Sequence, residues 1–77
     1  MSREFQDQNF ITWEAYATTG KHGFPDGPLV VFNPISVRTL PPRYVRMAGE
    51  EVDAQRKLEK ITDEDLRQLF SQSSELT

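Results

Sequence analysis

The chain changes character near Ala48-Gly49, and that change limits what it can fold into. All five prolines and four of the five phenylalanines precede it, with Trp13 and both tyrosines. Aromatic and β-branched residues suit a pleated, half-buried surface. After it come Glu, Lys, Arg, Gln and Leu, which favour helix. Strands followed by helices predict an α+β fold. The expected form is a small three- or four-stranded, mainly antiparallel sheet with two C-terminal helices packed on one face. A chain of 77 residues supports one domain.

The helical half carries the clearest local signals. In Ile61 to Phe70, ITDEDLRQLF, Thr62 is an N-cap candidate. Asp65 sits at the capping-box position, and Ile61 and Leu66 are spaced as a hydrophobic staple. Asp63, Glu64 and Asp65 place negative charge at the positive end of the helix dipole. Leu66, Leu69 and Phe70 form one apolar stripe. A preceding helix is expected over Glu50 to Lys60, with Ala54, Leu58 and Ile61 on its inner side. Val52 falls opposite that stripe.

The first strand is expected over Phe10 to Thr18. Ile11, Trp13, Ala15 and Ala17 share the core side, and Phe10, Thr12, Glu14, Tyr16 and Thr18 the other. Leu29 to Phe32, LVVF, has no alternation and suits a strand buried on both faces. Pro28 and Pro34 limit its length. A third strand is centred on Tyr44 to Met47, with Val45 and Met47 inward and Tyr44 and Arg46 outward. A further short strand is placed at Ile35 to Leu40. The domain is assigned to residues 10–71, between a flexible leader at 1–9 and a frayed tail at 72–77. Trp13, Val31, Val45, Leu58, Leu66 and Phe70 are the expected core.

Composition excludes several chemistries. Without cysteine there is no disulfide framework, thiolate metal site or Cys nucleophile. No apolar run reaches the length of a membrane span, and the polar N-terminus lacks a signal-peptide core. A cytoplasmic protein without membrane association is expected. Net charge is −3. Five basic residues face four acidic ones before Gly49, and four face eight after it. An acidic total weakens nucleic-acid binding, although a local basic face can still act.

Candidate sites lie in two places. Ala15 to His22, AYATTGKH, ends like a phosphate-binding loop at Gly20-Lys21, but that motif needs Gly at Ala15 and Ser or Thr at His22. A Gly/Pro-rich turn follows where a helix is required. Lys21 and His22 remain a loop candidate for a ligand or a general base, beside Thr18, Thr19 and Asp26. No metal-binding spacing involves His22, the single histidine. The second place is the outward sheet face. Tyr16 and Phe10 from the first strand would neighbour Tyr44 and Arg46, with Arg38 and Arg43 at the rim. Arginine interleaved with aromatics marks protein hot spots and also base-stacking surfaces. Glu14, an acid within an apolar strand, is expected to pair with Arg46.

These features predict a non-catalytic protein-interaction or accessory module, with a protein partner or a homodimer and without a cofactor. A nucleic-acid-binding domain on the same Arg/Tyr face is the alternative. A small-ligand or catalytic protein built on Lys21-His22 is the third reading.

Overall fold

The LVVF run occupies the centre of a five-stranded antiparallel sheet in the computed structural model, which describes residues 2–19 and 27–76. The strands are β1 (Ser2–Gln6), β2 (Thr12–Thr18), β3 (Leu29–Pro34), β4 (Arg43–Arg46) and β5 (Ser74–Glu75). Between β4 and β5 lie the helices α1 (Glu51–Lys60) and α2 (Asp63–Ser71). Spatial order follows chain order, β1-β2-β3-β4-β5, with every pair antiparallel. The fold is α+β as expected, with five strands where the sequence predicts three or four.

Leu29, Val30, Val31 and Phe32 are all fully buried. Alternation divides them between the two faces of the sheet. Val30 and Phe32 point to the helices, where they join Phe5, Trp13, Ala15, Leu58 and Leu66 in the core. Phe70 from α2 is the hub of its aromatic part. Its ring centroid lies 4.7 Å from Trp13, 5.2 Å from Phe32 and 5.5 Å from Phe5. Edge-on packing against Phe32 and Phe5 aligns positive ring edges with negative faces. Val45 and Phe70 pack against this core while partly exposed. Val31 is buried too, but on the side away from the helices.

Thr62 caps α2, its hydroxyl accepting from the Asp65 amide at 3.1 Å. Glu50 precedes α1 in an extended conformation, and its amide donates to the Asp53 carboxylate at 2.9 Å. Gly49 has a φ of 86°, and a Cβ there would sit 2.6 Å from the Asp53 carboxylate. Glycine is therefore required for the chain to enter α1 with that cap in place. Val52 is exposed and contributes nothing to the core.

The segment read as a flexible leader forms β1. Phe5 is 5% exposed and belongs to the core. Arg3 fixes the strand to the bend between the helices. Its guanidinium donates to the carbonyls of Leu58 and Ile61 and contacts Asp63 at 2.5 Å. Those carbonyls close α1 and lack intrahelical partners, so a planar cation satisfies two needs at once. Arg67 of α2 donates to the Gln6 carbonyl at 2.8 Å.

The segment read as a frayed tail also departs from expectation. Ser74 and Glu75 pair with Tyr44 and Arg43, Ser73 is buried, and the Leu76 amide donates to Pro42. Ile35 to Leu40 is a turn region, not a strand. The Ile35 amide extends the β3 ladder to Thr12, and Leu40 then bonds back to Val37. Pro34 and Pro41-Pro42 remove the donors that a longer ladder would need. Phe10 also lies outside β2, the strand expected over Phe10 to Thr18, because its φ of 62° is incompatible with an extended chain.

The role of β1 gives a direct prediction. Phe5→Ala should cost about 3–5 kcal/mol, as for other buried aromatics. Urea unfolding checks it. A cost below ~0.5 kcal/mol, typical of an uninvolved surface position, would return the segment to the status of a leader.

Candidate interaction face

Both helices pack on one side of the sheet, through the side occupied by Phe5, Trp13, Ala15, Val30 and Phe32. The opposite side is built in rows by the strand register. One row crosses all five strands: Ser2, Tyr16, Val31, Tyr44 and Ser74. The next row on one side is Thr18, Leu29 and Arg46. On the other side is Glu4, Glu14 and Asn33.

Leu29 and Val31 are fully buried at the middle of this face. Tyr16 and Tyr44 stand on either side of Val31 and are half-buried, while Arg46 is exposed. Arg46 reaches along the face toward the chain end of the β2–β3 connection. A Cβ added to Gly27 would lie 3.8 Å from its Nη1.

Two of the three arginines expected on this face belong elsewhere. Arg43 is opposite Phe32 in the register, so it points to the helix side. Its Nε donates to the Ser73 hydroxyl at 2.8 Å, and its Nη2 to the Ser73 carbonyl at 2.5 Å. Nη1 reaches Glu75 at 3.4 Å, and the guanidinium lies 5.5 Å from the Phe70 ring centroid. It is a strut that holds β5 and α2 to β4. Arg38 is exposed in the turn between β3 and β4, at the opposite end of the sheet from Arg46. Tyr16, Tyr44 and Arg46 therefore share the face, while Arg38 and Arg43 do not.

The expected Glu14–Arg46 pair is absent because register forbids it. Glu14 is opposite Glu4 on one side and Asn33 on the other, whereas Arg46 is opposite Leu29. The two are separated by a whole strand and by four positions along the sheet. Glu14 instead accepts from the Ser2 hydroxyl at 3.1 Å. Glu4 and Glu14 are left directly opposite each other, an arrangement that repels within a sheet. Lys21, His22 and Asp26 lie outside the described residues. Among the described residues no three His, Cys, Asp or Glu side chains converge as a metal site.

The β1–β2 hairpin holds two residues whose roles were not read from the sequence. Asp7 organises the turn. One carboxylate oxygen accepts from the amides of Asn9 and Ile11, at 2.8 and 3.0 Å, and the other from Trp13 Nε1 at 2.9 Å. Burial pushes its pKa up, but the bonds from Trp13, Ile11 and Asn9 together outweigh it, and the net shift is downward. Phe10 occupies the left-handed position that ends a three-residue hairpin loop, where glycine is the usual occupant. Its side chain is 80% exposed. The polar triplet Asp7-Gln8-Asn9 was the available turn signal. A cleft of about 410 Å³ lies beside this hairpin, between Asp7 to Asn9 and the end of α2 at Arg67 to Ser71. Its two charged side chains are both engaged within the chain, Asp7 with the turn and Arg67 with Gln6.

No family model, no characterised protein and no solved structure matches this chain.

Two outcomes follow from the hairpin. Phe10→Gly should stabilise the protein by about 0.5–1 kcal/mol. It removes a left-handed penalty of ~1–2 kcal/mol and adds roughly 0.5–1 kcal/mol of chain entropy. Urea midpoints of the two proteins measure the difference. Asp7 has a pKa lowered on folding, so its carboxylate contributes stability above the unfolded value of 3.8. That contribution should disappear as pH falls through the lower folded value. Asp7→Asn should remove this segment of the pH–stability curve, measured by thermal unfolding between about pH 2 and 6.

Proposed function

We propose that this protein is a non-catalytic interaction module whose docking surface is the sheet face bearing Tyr16, Tyr44 and Arg46. The observation that carries this reading is the row through Val31. It places two half-buried tyrosines symmetrically on a face that neither helix covers. Tyrosine and arginine are enriched among residues that dominate binding energy, because each offers a large contact area and a polar tip. A rim of Ser2, Glu4, Glu14 and Arg46 surrounds the rings, as an interface rim is polar around a desolvated centre.

Charge on the face favours protein over nucleic acid. Of the arginines expected there, Arg46 alone projects from the strands of this face, and Glu4 and Glu14 oppose it. Phosphate binding depends on several cations acting together. With Arg43 turned to the helices and Arg38 at the other end of the sheet, that clustering is lost.

A photo-crosslinking aromatic amino acid at position 44 tests the reading in cells, with the same group at exposed position 55 on α1 as control. A discrete protein adduct from position 44 and none from position 55 is the expected result. Equal labelling from both positions, or adducts to nucleic acid alone, would overturn it.

A further inference from the structure

The cleft between the β1–β2 hairpin and α2 carries a guanidinium with open donors beside an aromatic wall, and we propose that it binds a small carboxylic acid with an apolar body. The site is independent of the interaction reading above, because none of its lining residues lies in the Tyr16, Tyr44 and Arg46 rows.

The arginines that tie the outer strands to the helices are built alike with one exception. Arg3 donates to the Leu58 and Ile61 carbonyls and also contacts Asp63. Arg43 donates to Ser73 and also reaches Glu75. Arg67 donates from Nε to the Gln6 carbonyl at 2.8 Å, but among the described residues no carboxylate lies within 4.0 Å of its guanidinium. Its Nη1 and Nη2 make no hydrogen bond among those residues. Asp7 lines the same cleft, yet its oxygens accept from the Asn9 and Ile11 amides and from Trp13 Nε1. A planar fork held at one nitrogen and open at the other two is prepared for a carboxylate, which accepts two parallel N–H···O bonds from it.

The walls define the rest of the ligand. The cleft has a volume of about 410 Å³, within the range of ~300–1,000 Å³ usual for small-molecule sites. Phe70 lines it and is only partly buried, its ring packing on Phe5, Trp13 and Phe32 toward the core. A second hollow of about 250 Å³ shares Asp7, Asn9 and Phe70 with the first and adds Ile11, Trp13 and Leu40 as apolar surface. Arg43 and Glu75, which line that hollow, pair with each other. Asp7 borders both hollows and repels a second carboxylate, so the acid head is held at the Arg67 end. The apolar body then lies across Phe70 toward Ile11 and Leu40. Arg67 is exposed, so the ion pair is screened and the Kd for a fragment-sized acid is on the order of 1 mM.

Phenylacetate, titrated into the whole chain up to about 20 mM and followed by backbone amide NMR, tests the site. The expected result is saturable shifts at Gln8, Asn9, Arg67, Gln68 and Ser71. Phenylacetamide keeps the body without the charge and should bind about tenfold less tightly. Acetate keeps the charge without the body and should weaken by a similar factor, about tenfold. Arg67→Gln should abolish the response to phenylacetate in a chain whose remaining amide shifts are unchanged. The amide and acetate comparisons use the wild type, so they decide the question even where Arg67→Gln does not fold. Absence of shifts, shifts centred on Arg38 or Arg46 instead, equal binding of phenylacetamide, or undiminished binding by a folded Arg67→Gln would each overturn the site. Equal binding of acetate would overturn the apolar body of the ligand.

Discussion

Burial of β3 on both faces is the constraint around which the rest of this protein is arranged. Four consecutive apolar residues, Leu29 to Phe32, are fully removed from solvent. A strand with that sequence cannot lie at a sheet edge, so β2 and β4 must pair with it on either side. Alternation then sends Val30 and Phe32 to one face and Leu29 and Val31 to the other. The helices and the Phe5–Trp13–Phe70 aromatic group cover the first pair. The second pair lies among Tyr16, Tyr44, Thr18 and Arg46 in the register. Tyr16 and Tyr44 flank Val31 there and are themselves partly exposed.

A small sheet with exposed edges also needs its outer strands held. Here arginines do much of that work. Arg3 ties β1 to the bend between α1 and α2, and Arg67 ties its last carbonyl to α2. Arg43 holds Ser73 and Glu75 against β4. Each reaches backbone carbonyls that a short sheet and two short helices leave without ladder or helical partners. A guanidinium suits the task because its apolar stem packs against the core while its planar head satisfies several acceptors.

How much of this was legible in the sequence follows from the range of each interaction. The capping of α2 at Thr62, the apolar stripe of the helices and the double burial of LVVF depend on neighbours in the chain, and all three were readable. The outer strands were not. Ser2–Gln6 does alternate, with Arg3 and Phe5 inward, but two such positions in a polar segment resemble any loop. What makes it a strand is pairing with β2 and contact with helices some 55 to 60 residues away. Ser74 and Glu75 depend in the same way on Arg43. Of the candidate face, Tyr16, Tyr44 and Arg46 followed from period-two alternation alone. Phe10 failed because alternation was extended into a turn whose geometry Asp7 sets.

Arg43 shows why the same rule separates structure from proposed function within one four-residue strand. Arg43 and Val45 have one parity, Tyr44 and Arg46 the other. A slip of a single residue would send Tyr44 and Arg46 toward the helices and turn Arg43 outward. The strand is short, and its ladder alone specifies register weakly. The bonds from Arg43 to Ser73, its reach to Glu75 and its place over Phe70 can form only when that side chain is on the helix side. The Arg43 strut is thus a register lock for β4. It keeps Tyr44 in line with Tyr16 and Val31 and keeps Arg46 on the side away from the helices.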